Sequence, residues 1–312
     1  MIVWGHFLPL GNFVKVIIYS FHVPLFVFVS GFLIKKFPVT ASETVSKLYN
    51  SIVRLLLPYS IWFIACAIPV MINKELSIKN AFKHFIFYSG DTIWNRALWF
   101  LPSFFMISFF FTIFGKFIKG NKIIIGVSSV LAFIIAIYID ISNIKIFSYF
   151  GLENSILLYG FYSLGYLLKD LIKKIISVKL LVYCCAVIFL VVAYWAGLRN
   201  NGNNISFLQN DYNGILFYVF TALILIPSFI IGCSLLPSIK VIELISSNSL
   251  FIMCSHMIIL EFIKIFVGKF TFINGTICTF LLIGIYIIVL LLLGKIKSEK
   301  IKNKLTYIGI QV

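Results

Sequence analysis

The sequence predicts an all-α fold: one polytopic transmembrane bundle of about ten helices, the first of them shortened. Two observations predict it. Of 312 residues, 61% are of the AVILMFWYC set and only 12% are charged, a composition unsuited to a water-soluble domain. Phe is abundant at 34 residues and Pro sparse at 8. The apolar residues fall in runs of about twenty, the length of a membrane-spanning helix and too long for the ten-residue alternating strands of an outer-membrane barrel. Nine complete runs are predicted, at roughly 14–34, 52–72, 97–118, 123–141, 149–168, 179–198, 214–236, 249–267 and 273–294, with residues 1–10 resembling the end of a tenth. The MIVWGHFLPL start lacks the basic region and small-residue cleavage site of a signal peptide, so it is kept as mature sequence.

Lys and Arg outnumber Asp and Glu by 26 to 10, giving a net charge of +16. In so apolar a chain this excess reads as the basic bias of cytoplasmic loops, with no nucleic-acid partner expected and the lipid bilayer as the surroundings. The loops after the first, third, fifth and seventh complete runs, together with the tail, carry seventeen basic residues, among them Lys35, Lys36, Lys47, Arg54, Lys116, Lys169 and Lys295. The opposite loops carry eight, including Lys15, Lys83, Arg96 and Arg199, and Lys264 lies within a run. The expected orientation places the C-terminus in the cytoplasm of a bacterial cell, with residues 1–294 as a single membrane domain and 295–312 as a basic tail. Two outer loops are long: 73–96, with an amphipathic stretch that Phe82, Phe85, Phe87 and Trp94 could anchor in the interface, and the Asn- and Gly-rich 199–213. The six cysteines lie inside apolar runs without CxxC or neighbouring His spacing, so neither a disulfide framework nor a metal site is expected.

Ionisable groups at membrane depth are costly unless partnered, which singles out His6, His22, His256, Glu261 and Lys264. With a turn near residues 11–15, His6 and His22 both lie on the order of 10 Å below the outer surface and can face one cavity. Each imidazole could act as a general base toward an alcohol or could bond a backbone carbonyl and hold two helices together. Pro24 cannot donate to the carbonyl of Ser20, which points to an irregular helix beside His22. His256, one and a half to two turns into its run from the cytoplasmic end, is expected on the opposite side of the membrane from His6, in a packing or cofactor-side role. Glu261 and Lys264, spaced i, i+3, can neutralise each other. Arg54 and Lys47 at the cytoplasmic face could clamp a phosphorylated ligand or simply reach lipid phosphate. Arg96 and Trp99 on the outer side could meet a sugar ring or form part of an interfacial belt.

Taken in order, the blocks WGH (Trp4 to His6), FHVPLFVFVSGFLIKK (Phe21 to Lys36), RLLLPY (Arg54 to Tyr59), LWFLPSFF (Leu98 to Phe105), FYSLGYLLKD (Phe161 to Asp170) and SSNSLFIMCSHMIIL (Ser246 to Leu260) resemble the integral-membrane acyltransferase family 3, in particular its sugar O-acetyltransferases similar to fucose 4-O-acetylase. The FHVPLF and SGFL elements are the most specific. The resemblance implies about ten helices and transfer of an acyl group, usually acetyl, from cytoplasmic acetyl-CoA to a hydroxyl of a cell-surface glycan or its lipid-linked precursor. It places the family's first-helix histidine at His6, its FHxPLF histidine at His22 and the basic residue of the CoA-side loop at Arg54, with Trp99 and His256 on recurring positions. Members carry a basic residue about eleven positions before the histidine matched by His6, a place that here would precede Met1. The expectation is that the chain starts downstream of the natural start; the alternative is an inactive truncated acyltransferase. A polytopic transporter or flippase of glycan precursors would share the helices, the basic loops and the intramembrane ionisable groups.

Overall fold

The computed structural model describes residues 1–73, 76–87, 95–142, 152–200, 212–296 and 298–311. Among the described residues every regular element is helical. The short α1 (Ile2–Phe7) is followed by α2 (Phe13–Tyr19) and α3 (His22–Phe32), which together form one interrupted span. α4 (Ala41–Ser51) continues through a π-helical turn at Ile52–Leu56 into α5 (Leu57–Ile72), and α6 (Ile78–Phe87) is the amphipathic stretch expected between two spans. A 3₁₀ turn, Arg96–Trp99, opens α7 (Phe100–Phe117); then come α8 (Lys122–Ile141), α9 (Leu152–Ile176), α10 (Lys179–Arg199) and α11 (Ile215–Cys233). α12 (Lys240–Ser247) leads into α13 (Ser249–Val267), α14 (Phe272–Leu293) and α15 (Glu299–Thr306). Among the described residues eight spans are long and apolar enough to cross a membrane, and the 25-residue α9 adds length enough for another. All nine runs read from the sequence coincide with these helices, so the chain is an integral membrane bundle.

Local chemistry sets the boundaries. Asn12 accepts from the amides of Val14 and Lys15 at 3.0 and 3.3 Å, Asn121 from Ile123 and Ile124 at 2.9 and 3.3 Å, and Thr271 with Asn274 forms a reciprocal capping box at α14. Each satisfies amide donors that a helix start leaves open, worth about 1 kcal/mol apiece. The α7–α8 turn needs left-handed backbone at Lys119 and Gly120 (φ 50° and 69°), and glycine takes the second at no steric cost.

The largest packed layer joins α3 to α9, with α7 and α8 against its flanks. Glycine makes that approach possible. A Cβ at Gly31 would overlap the carbonyl oxygen of Tyr162, and one at Gly165 would overlap that of Phe28. Apolar tails surround the bundle, so close backbone contact through small residues supplies dispersion that hydrophobic burial cannot. α10 packs on α11, and α5 on α6 and α13. On α6, Phe85 sits against Tyr59 and Phe63 (centroids 4.9 and 5.1 Å), and the Tyr59 hydroxyl donates to its carbonyl at 2.6 Å; Phe82 is exposed. Trp94 lies outside the described residues.

The two ends of the chain meet. α1 packs against α13 and α14 as well as α2. Trp4 donates from Nε1 to Thr276 Oγ1 at 3.0 Å, and Phe7 contacts Phe270 at 5.2 Å. Beyond α15 the chain does not hang free. Trp62 Nε1 donates to the Ile308 carbonyl at 3.2 Å, Ile310 is buried, and Asn248 pairs with the backbone of Gln311, accepting from its amide at 2.7 Å and donating to its carbonyl at 3.1 Å.

Replacing Gly165 by Leu should force α3 and α9 apart and destabilise the bundle by about 1–3 kcal/mol. The check is a lowered midpoint of thermal unfolding in detergent, with Gly126→Leu as a control, because a Cβ there meets only a Leu167 methyl at 3.9 Å.

Candidate functional site

The site starts from a break in a helix. α2 stops at Tyr19, Phe21 adopts φ −151° and ψ −11°, and α3 restarts at His22. The interruption lies two residues earlier than Pro24 would suggest, and Pro24 itself falls in the first turn of α3, where no amide donor is needed. Carbonyls near the break need partners in a medium without water. Ile18 O, met by the Phe21 amide only at 3.4 Å, takes Nδ1 of His22 at 3.0 Å, while the Ser20 hydroxyl adds a second donor, at 2.9 Å, to the Val16 carbonyl that the Ser20 amide already bonds. A carbonyl only accepts, so Nδ1 of His22 carries the hydrogen and Nε2 of the neutral ring keeps its lone pair.

His256 repeats the arrangement on α13. Its Nδ1 bonds Ile252 O at 2.9 Å, which likewise leaves Nε2 as the acceptor, and that atom is buried without a hydrogen-bond partner among the described residues. His6 differs. Its Nδ1 meets the hydroxyl of Tyr19 at 2.9 Å, and a hydroxyl can donate or accept, so this contact leaves the His6 tautomer open. The four rings form a continuous file from α3 to α13: His22 to Tyr19 at 4.7 Å, Tyr19 to His6 at 5.7 Å, and His6 to His256 at 5.0 Å between centroids.

The expectation that His256 stands on the opposite side of the membrane from His6 is therefore overturned. His22 is the tenth residue of the 20-residue span Phe13–Phe32, and His256 the eighth of the 19-residue α13. Depths counted inward from opposite faces meet at the middle of the bundle. His6 and His22 each contact Tyr19, which lies between them. The carbonyl-bonding and base readings also turn out to be compatible for His22, since one nitrogen serves each.

The other sequence candidates lie elsewhere. Arg54 sits exposed in the π-helical turn, and Lys47 is half-buried two turns earlier on the same continuous helix. Such turns interrupt the regular ladder and often mark functional positions. Arg96 is exposed at the 3₁₀ turn. Trp99 is only 8% exposed and packs in the main core with Phe21 and Val27. Glu261 pairs with Lys264 at 2.6 Å on an exposed part of α13.

Three residues escaped the sequence reading. Tyr19 precedes His22 by three positions, the spacing of one helical face, and that was its available signal. Lys15, counted there among loop charges, lies inside α2; its Nζ donates to the Leu8 carbonyl at 3.0 Å and stands 5.5 Å from the Tyr19 ring centroid. Asn95, fully buried, donates to the Cys254 carbonyl at 2.7 Å and ties the 3₁₀ turn to α13; only coordinates could reveal that.

Such a file of neutral imidazoles can take a proton from a hydroxyl and return it, the chemistry of general base catalysis. The family model for the acyltransferase 3 domain, described as an acyltransferase domain, matches residues 1–294. No curated protein and no solved structure matches the chain.

Replacing Tyr19 by Phe removes the hydroxyl that holds His6 while keeping the ring. Acyl transfer should fall roughly 10- to 100-fold, with unfolding shifted by no more than about 1 kcal/mol, the net worth of one hydrogen bond. Parallel measurement of turnover and thermal unfolding of the variant checks both.

Proposed function

The chain belongs to the integral-membrane acyltransferase family 3, and from that premise we propose that it moves an acetyl group from acetyl-CoA, presented from the cytosol, to a carbohydrate hydroxyl of a cell-surface polysaccharide or its lipid-linked precursor. Its place is the bacterial cytoplasmic membrane, with the C-terminus in the cytoplasm. The observation that carries this reading is the hydrogen bond between Tyr19 and His6 within the file of rings at the middle of the bundle.

For His6 to act as base, its Nδ1 hydrogen is donated to the Tyr19 oxygen and its Nε2 faces the acceptor. The acceptor O–H proton passes to Nε2 as the oxygen attacks the thioester carbonyl. The new C–O bond forms, the tetrahedral intermediate collapses, the C–S bond breaks, and the departing CoA sulfur takes the proton from His6. His22, whose Nε2 is held as an acceptor by its bond to Ile18, is the second base or the orienting neighbour. Holding both reactants in a dry bundle contributes through orientation, and fixed dipoles there stabilise the developing oxyanion.

On the donor side, Arg54 and Lys47 supply cations for the phosphates of CoA, through charge-assisted hydrogen bonds. Both stand on one continuous helix with Trp62 and Tyr59, so a ligand held there is coupled to the surroundings of α13. Arg96 is the remaining candidate for acceptor contact. Trp99 supports the packing of that wall.

Membranes carrying the wild-type chain, incubated with labelled acetyl-CoA and surface polysaccharide, should place label in the glycan. His6→Ala should reduce the rate by about 10²–10⁴, the usual contribution of a positioned base; a normal rate would remove His6 from the chemistry. Movement of lipid-linked sugar without acetyl-CoA consumption would favour transport instead. Arg54→Gln should raise the KM for acetyl-CoA roughly tenfold, about 1.4 kcal/mol, and leave kcat close to wild type.

A further inference from the structure

Lys15 carries a charge beside the ring file that, among the described residues, no carboxylate compensates. It is the third residue of the span Phe13–Phe32, close enough to the end for its long stem to carry the ammonium out to water. The side chain turns inward instead. Lys15 is only 9% exposed, and its Nζ donates to the Leu8 carbonyl at 3.0 Å and stands 5.5 Å from the centroid of Tyr19. That carbonyl takes one of the three hydrogens an ammonium offers, and the ring adds a cation–π attraction, but neither cancels the charge. Holding the turn before α2 needs only a neutral donor, whereas a buried cation is costly until an opposite charge meets it. Lys264 on α13, whose field reaches His6, is differently placed, because it is already bonded to Glu261 at 2.6 Å.

The surroundings leave a way in. His6 and Tyr19 are half-buried, whereas His22 and His256 are buried, and Leu10 in the turn before α2 is exposed. The Tyr19 hydroxyl is 2.9 Å from His6 Nδ1, so the imidazole and the ammonium are gathered about one tyrosine. We propose that Lys15 is a binding residue for the acceptor and that the acceptor sugar is acidic, its carboxylate pairing with the Lys15 ammonium while its hydroxyl lies at His6. The inference rests on the reading of His6 as base toward a carbohydrate. A carboxylate suits the place because the compensation missing there is a single unit of charge, and the hydrogens of Nζ not used by Leu8 can donate to its oxygens in charge-assisted bonds. Such a pair fixes which hydroxyl of the sugar is turned to the imidazole. A neutral sugar would leave the ammonium uncompensated, so the same charge discriminates against it.

Altering the acceptor and the protein in parallel tests this. The surface polysaccharide is offered to the full-length protein either untreated or with its carboxyl groups converted to amides, which removes charge without adding a hydroxyl. Amidation should raise the wild-type KM for the polysaccharide by about 10- to 100-fold, with the KM for acetyl-CoA unchanged. Lys15→Gln, which keeps a neutral donor toward Leu8, should raise the KM for untreated polysaccharide to a similar extent and use both acceptors alike, and Lys15→Arg should retain most of the preference. Wild type that uses both acceptors equally overturns the proposal, and that comparison stands even where Lys15→Gln does not fold. A preference that survives in folded Lys15→Gln overturns it too and leaves Lys15 as a tie to the Leu8 carbonyl. Amidation without effect, combined with a raised KM in Lys15→Gln, assigns the ammonium to another anion, such as a phosphodiester, and removes the carboxylate. Wild type that acetylates neither acceptor removes the underlying reading, whereas acetylation of both at equal KM removes only this inference.

Discussion

Hydrocarbon offers no water to an open carbonyl, and the bundle's central features follow from that constraint at the break between α2 and α3. The span there cannot satisfy itself through an uninterrupted ladder. At Ile18 O, which the backbone reaches only through the Phe21 amide at 3.4 Å, His22 supplies the extra donor from its side chain. Once His22 donates its Nδ1 hydrogen in this way, its other nitrogen is left as an acceptor. His256 makes the same bond to Ile252 O, there within the unbroken ladder of α13.

The ring file spans elements from both ends of the sequence. Tyr19 and His22 come from one interrupted span, His6 from the short helix before it, and His256 from a helix that follows the other walls. α1 joins them by packing on both α2 and α13, while Gly31 and Gly165 let α3 lie close on α9 and Asn95 ties the turn before α7 to α13. An error in helix approach would be felt where hydrogen-bond distances are set, because close-packed interiors transmit small displacements.

Apolar run length made the fold legible, because an α-helix must be about twenty residues long to cross hydrocarbon and composition records that directly. His6 and His22 were legible for a related reason: polar groups at such depth stand out against Phe, Ile and Leu. The relation of His256 to His6 was not, since counting residues from a helix end gives depth only, and depths from opposite faces converge near the centre. Tyr19 was hidden by its ordinariness among 15 tyrosines. The burial of Trp99 was not legible, because an indole at a helix entrance is common at interfaces and the residues around it do not record which way it turns.

The bond from Trp4 to Thr276 joins residues 272 positions apart. A ribosome adding about 5–20 residues per second needs roughly a quarter of a minute to a minute to make that intervening chain. For that interval the first helix has α2 beside it but neither α13 nor α14, and the indole donor of Trp4 lacks its final partner. Assembly of the ring file is consequently among the last events of biogenesis. Slow delivery of α13 and α14 would leave a nascent protein almost fully inserted and still without its chemistry.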